Sequence, residues 1–180
     1  MKLNNIIMDK NLLFEYIVYK LDWWKSKIGS ADVPSFTKLR LQKILFLICA
    51  WNVSKDNMKL LNVFNRFYAL PYGPVEMDIY EVMKNGSFKQ MRFCGNECIY
   101  NFADSNFTVI SNVYKGYVDD AINHFVSENK DYLTMPIFDL VDITHKWTVW
   151  KTSMEVAKFL GSKKEKMSSE DILKSISKEF

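Results

Sequence analysis

Cysteine and histidine carry the richest chemistry available to this chain, and there are few of them: Cys49, Cys94, Cys98, His124 and His145. A Cys–His pair can generate a thiolate nucleophile, and four Cys or His ligands can close a structural zinc site. Cys94 and Cys98 flank the dipeptide Gly95-Asn96, which would make them half of a metal site or a redox pair. The other half would have to come from Cys49, His124 and His145, scattered along the chain. None of the cysteines lies in a glycine-rich loop or at an evident helix N-terminus that would lower its pKa. Cys94 and Cys98 therefore read as small packing residues on the same strand face as Tyr100. No phosphate-binding glycine loop, paired catalytic carboxylates or Ser-His-Asp signature is present. The expectation is a non-enzymatic protein with no catalytic residue, no metal and no cofactor.

The remaining polar candidates suit binding better than catalysis. His145 closes Asp142-Ile143-Thr144-His145 and is followed by Trp147 and Trp150. It reads either as a helix-terminal histidine packed on an indole or as a polar-network residue at a partner-contact pocket. Lys38, Arg40 and Lys43 decorate the front of an apolar helix, as a solvated rim or a contact for an acidic partner. Gln42 and Lys43 lie beside that helix's apolar face, so their polar ends need specific acceptors. Five tryptophans are many for one domain: most should be core, and an exposed one would be a natural binding anchor.

Composition narrows the class. The 180 residues suffice for one domain, or a domain with a tail, and can bury a sizeable core. Hydrophobic residues make up 48% and charged residues 25%, an ordinary globular balance. A net charge of +3 with only Arg40, Arg66 and Arg92 argues against a nucleic-acid partner, which calls for clustered cations and base-reading arginines. A transcriptional regulator is therefore the weakest alternative. Three cysteines without framework spacing argue against a disulfide scaffold. The longest apolar run, Ile44–Trp51, is far short of the ~20 residues that cross a bilayer. Asp9 and Lys10 follow Ile6-Ile7-Met8 directly, unlike a signal peptide. A reducing, cytoplasmic setting without membrane contact is expected.

The elements that must position these residues are mainly helical. A helix capped by Asp9 is expected over 10–27, with Leu13, Ile17, Leu21 and Trp24 on one stripe and Gly29–Pro34 as its stop. The next, 36–53, is apolar nearly all round (Leu39, Leu41, Ile44, Leu45, Phe46, Leu47 and Ile48) and belongs at the centre of the domain. A turn and semi-extended link fills 54–73. A third helix is expected over 74–84, ending at Asn85-Gly86. The one clear β signal is a hairpin near 89–102 with Gly95-Asn96 at its turn, which must pack on the helices to be stable. Further helices are expected over 107–127, from Pro136 to His145, for a turn or two between Ser153 and Leu160, and after a cap at Ser168 or Ser169. The fold class is mainly α (α+β): a helical domain, 1–160, around a central buried helix with one small β-hairpin, then a helical tail, 161–180.

Phe67-Tyr68-Ala69-Leu70-Pro71-Tyr72-Gly73-Pro74-Val75 stands out within this plan. Two prolines, a glycine and three aromatics should form a rigid corner, with Pro74 at the first helical position and Glu76 and Asp78 in the first turn.

Three segments together resemble a known family. Thr37-Lys38-Leu39-Arg40-Leu41-Gln42-Lys43-Ile44-Leu45-Phe46, ending in Ala50-Trp51, resembles the first motif of the Panacea domain, found in SocA-like antitoxins and phage-associated GepA-like proteins. Ala69 to Val75 is similar to the second, an alanine-aromatic segment leading to Tyr-Gly-Pro-Val, and Leu140 to Trp150 to the third. The chain departs from the pattern at Leu70, commonly Trp, at Val149, usually Pro, and at Lys146-Trp147. The resemblance covers roughly residues 10–152. It implies a mostly helical domain that binds and neutralises a protein toxin encoded by an adjacent gene. Some family members instead act as adaptors delivering a partner to a host protease, which is the alternative. Gln42, Lys43, Tyr72, Gly73, Pro74, Thr144, His145 and Trp150 match motif positions and are the implied partner-binding residues.

Overall fold

The computed structural model describes residues 9–29, 33–86 and 88–179. The expected stop at Ser30–Asp32 and the Ile6-Ile7-Met8 segment lie outside the described residues. Helix α1 (Lys10–Ile28) begins where the Asp9 carboxylate accepts from the amides of Asn11 and Leu12. Its stripe of Leu13, Ile17, Leu21 and Trp24 is buried. Helix α2 (Lys38–Ala50) is capped by Thr37, and every residue from Arg40 to Ala50 is buried. It is the central helix its composition calls for. Two of the three cations expected at its front are buried as well. Arg40 is 4% and Lys43 0% exposed. Their heads find backbone carbonyls in the interior, so only Lys38 stays near solvent.

A 3-10 turn at Lys59–Asn62 leads to β1 (Phe67–Leu70), which pairs antiparallel with β2 (Gly73–Glu76). This corrects the placement of Pro74. It sits in a strand opposite Ala69, and helix α3 (Met77–Asn85) starts three residues later with Glu76 as its cap. A short strand β5 (Glu165–Lys166) pairs with the other side of β1, so the order β2-β1-β5 makes β2 an edge, where a proline's missing N–H costs no ladder bond. Pro71 and Gly73 occupy the second and fourth positions of the connecting turn, the places a type I turn favours. Helix α3 ends at Gly86, whose φ of 73° supplies the left-handed stop.

The expected hairpin is β3 (Met91–Cys94) and β4 (Glu97–Tyr100). Gly95, at φ 60°, takes the first position of its two-residue turn, as a type II′ turn requires. Register pairs Phe93 with Cys98 and Cys94 with Glu97. The two cysteines thus lie on opposite faces, not on one face as expected: Cys98 is buried against Met91, and Cys94 is exposed. The hairpin packs beneath the entry to α2 through Cys98 N donating to Phe36 O at 2.7 Å, and Tyr100 donates to Asp22 on α1 at 2.6 Å.

A 3-10 turn at Asp104–Phe107 precedes α4 (Asn112–Ser127), which is therefore shorter than 107–127. Helix α5 (Ile137–His145) runs as expected, but α6 (Thr148–Phe159) is a full helix in place of a turn or two. Beyond it, β5 (Glu165–Lys166) extends the first sheet against β1, and α7 (Ser169–Glu179) follows. Met167 and Ile172 of this last segment are buried in the common core. Among the described residues the fold is seven α-helices, six of them around α2, with two small antiparallel sheets, mainly α with a minor β component. No described helix is long and apolar enough to cross a membrane.

Candidate functional site

The β1–β2 turn brings the three distinctive segments together. From α2, Lys43 donates its ammonium to the Pro74 carbonyl at 2.6 Å. From α5, Thr144 packs against the other side of the turn while its hydroxyl donates to Val141 O at 2.8 Å. Gly73 lies between them with φ 95°. A methyl group there would come within 2.6 Å of Thr144 Oγ1 and 3.2 Å of Lys43 Cε and Nζ. Only glycine fits both the backbone angle and the space.

Gln42 fixes the far end of β2. Its Oε1 accepts from Glu76 N at 2.8 Å and its Nε2 donates to Glu76 O at 3.3 Å. The buried Glu76 carboxylate is in turn fully engaged. Oε1 accepts from Lys10 Nζ at 2.8 Å and Arg66 N at 3.2 Å, and Oε2 from Ile79 N at 2.9 Å. Lys10 and Arg66 also bind Asp78, in the first turn of α3. A buried carboxylate is tolerated when, as here, both oxygens accept hydrogen bonds and a cation is paired with it. Of these, only Glu76 and Asp78 are legible in the sequence, as acids in a first helical turn; the partnership with Lys10 and Arg66 joins positions far apart in the chain.

His145 and Trp150 close the site from the side. Their rings stack at 3.7 Å between centroids and 13° between planes. The Trp150 indole donates to Leu70 O at 3.0 Å, tying α6 to the end of β1. His145 thus packs on an indole. Its Nε2 is buried without a hydrogen-bond partner. Burial and the nearby Lys43 charge push the imidazole pKa down, against the opposing pull of Asp142 and the Pro71 carbonyl. A neutral ring is the form that tolerates an unpartnered nitrogen. Burial alone pushes the Lys43 ammonium down to about 7.

Gln42, Lys43, Gly73, Pro74 and Thr144 are buried, and His145 and Trp150 are half-buried. Tyr72, at the tip of the turn, is 61% exposed, and its ring lies 6.5 Å from the equally exposed Phe138 at the start of α5. A groove of about 720 Å³ opens beside this pair, between the start of α2, α3 and the turn. Among the tryptophans, Trp24 and Trp147 are core and Trp23 is the most open, at 36%, beneath Lys20 and Lys27. Trp147, in the segment that departs from the family pattern, packs edge-on against Phe46 of α2. Among the described residues no group of three or more His, Cys, Asp or Glu could hold a metal ion. Burial raises the Cys49 and Cys98 thiol pKa values, opposite to what a thiolate nucleophile needs.

No curated protein and no solved structure matches this chain significantly. A family model does: Antitoxin SocA-like, Panacea domain, over residues 41–151. That span is more than half of the chain and contains the Lys43–Gly73–Thr144 junction and the His145–Trp150 stack. The chain therefore belongs to the SocA-like antitoxin family, by its Panacea domain.

Proposed function

We infer that this protein is the antitoxin of a toxin–antitoxin pair and neutralises a cognate protein toxin, encoded by an adjacent gene, by binding it directly in the cytoplasm without doing chemistry. The family supports the antitoxin role. The observation that carries the binding mode is the use of the distinctive residues. Gln42, Lys43 and Trp150 direct their polar groups to the backbone of β1 and β2. They hold a turn in place and leave Tyr72 and Phe138 projecting. Paired exposed aromatics on a rigid base are what a protein-binding anchor requires, because little entropy is lost when they dock. In this reading Tyr72 touches the toxin, and the other seven motif residues shape the surface that presents it.

A second reading, an adaptor delivering the toxin to a host protease, needs a second docking face. Helix α6 ends on one such candidate: Val156, Phe159 and Leu160 are 46%, 90% and 63% exposed.

Growth rescue tests the first reading. Each flanking gene is induced in a heterologous host with and without this protein. A neighbour that stops growth alone and is silenced by co-expression supports it; no toxic or silenced neighbour overturns it. Rescue that disappears in a host lacking its cytoplasmic proteases points to the adaptor.

A further inference from the structure

The groove beside Tyr72 has a charge pattern as well as a shape. Its walls are apolar, from Leu39 of α2, Val75 of β2, Tyr80 of α3 and Ile137 of α5. Lys38 and Lys84 stand on the wall, and no carboxylate lines it. Neither lysine makes an ion pair among the described residues, whereas Lys10, Lys20, Lys89 and Lys174 elsewhere do. Lys38 is held over the Phe93 ring at 5.6 Å, which orients its ammonium without neutralising it. Arg40 also lines the groove, but its guanidinium is turned to the carbonyls of Tyr132 and Met135, so the two lysines carry the charge there.

We propose that this groove takes a segment of the toxin carrying an apolar side chain flanked by carboxylates: the apolar group seats between Leu39, Tyr80 and Ile137, and the carboxylates meet Lys38 and Lys84. This rests on the antitoxin reading for the identity of the partner, but not for the chemistry of the groove. The volume of about 720 Å³ suits a few residues of chain. The adjoining Tyr72 and Phe138 extend the apolar surface past what a small metabolite would cover, which favours a protein segment. Opposite charge on the two sides speeds encounter and sets the register, while the apolar seat sets the residence time.

The test has two arms. In the first, the ¹⁵N-labelled protein is titrated with acetyl-Glu-Leu-Phe-Glu-amide and with its Lys-Leu-Phe-Lys counterpart. The acidic peptide should shift the amides of Lys38, Leu39, Tyr80 and Lys84 and bind about tenfold or more tighter than the basic one. The preference should reverse toward the basic peptide in a Lys38→Glu/Lys84→Glu variant that keeps the wild-type circular dichroism. Equal response to both peptides, no response, or shifts centred elsewhere would overturn the proposal. In the second arm, the toxin found by growth rescue is titrated with the same variant and with a Lys55→Glu/Lys158→Glu control. The groove variant should lose about tenfold or more in affinity, and the control less than about twofold. A toxin that binds both variants as it binds the wild type removes the groove but keeps the antitoxin reading. A groove that selects the acidic peptide in a protein that binds no neighbouring gene product removes the antitoxin reading but keeps the groove.

Discussion

Gly73 and Thr144 approach so closely that a methyl group on the glycine would lie 2.6 Å from the threonine Oγ1. This contact joins the turn between β1 and β2 to the last full turn of α5, and Lys43 of α2 crowds the same position. The shape of the Tyr72 turn is thus set by three elements at once. These contacts add to the turn preferences of Pro71 and Gly73.

Substitution Gly73→Ala should cost about 2–4 kcal/mol, combining strain at positive φ with overpacking. Urea denaturation reads this as a lower midpoint at unchanged slope. In the Gly73→Ala/Thr144→Ala double variant the loss should be about 1 kcal/mol or more smaller than the sum of the two singles. Additive losses would mean that Thr144 is not the obstacle.

Gln42→Ala should cost about 2–3 kcal/mol, because both the N–H and the C=O of buried Glu76 lose their partner. Gln42→Glu should be at least as damaging. It keeps an acceptor for Glu76 N, but it turns a second oxygen toward Glu76 O where an amide N–H now donates at 3.3 Å. Thermal unfolding of both variants checks the order; a stable Gln42→Glu protein would mean that the interlock is dispensable.

Much of this junction was legible in the sequence, and the reasons for the gaps are specific. The central helix showed itself by being apolar all round, and Gly95-Asn96 and Gly86 marked their turns because glycine there answers a local backbone need. The Pro74 strand was missed because proline before an acidic pair has the pattern of a helix start, and only the pairing with β1 overrides it. Lys43 and Gln42, beside an apolar face, read as needing specific acceptors and have them, but Arg40 read as a rim cation because its acceptors, the carbonyls of Tyr132 and Met135, are backbone atoms that leave no trace in residue types. Two-residue β5 carries too little pattern to be seen at all.

Lys43 should give stability a distinct pH dependence. Its folded pKa of about 7 lies below the unfolded lysine value of 10.5, so the unfolded state binds the extra proton between these limits. Lys43 therefore destabilises fully below pH 7, and its penalty is relieved as pH rises toward 10.5. The raised thiol and phenol pKa values of Cys98, Tyr16 and Tyr100 act in the opposite sense at high pH, so the contrast must be made with a variant. The stability of wild type minus that of Lys43→Met should rise between pH 7 and 10 and be flat below. A flat difference throughout would show that Lys43 keeps an ordinary pKa.

Tyr72→Ala should separate binding from folding. An exposed side chain at 61% carries little stability, within about 0.5 kcal/mol of wild type. As an anchor its removal should weaken toxin binding by about tenfold or more. Denaturation and growth rescue on the same variant give the answer. Full rescue by Tyr72→Ala would move the toxin contact off this turn.

The central claim is direct neutralisation, and calorimetric titration of the purified toxic neighbour into this protein tests it without a cell. Direct binding should give a saturable complex with a dissociation constant in the nanomolar range, in keeping with a specific protein interface, and a weaker one with Tyr72→Ala. Rescue of growth in cells with no measurable heat or complex between the purified proteins would contradict it.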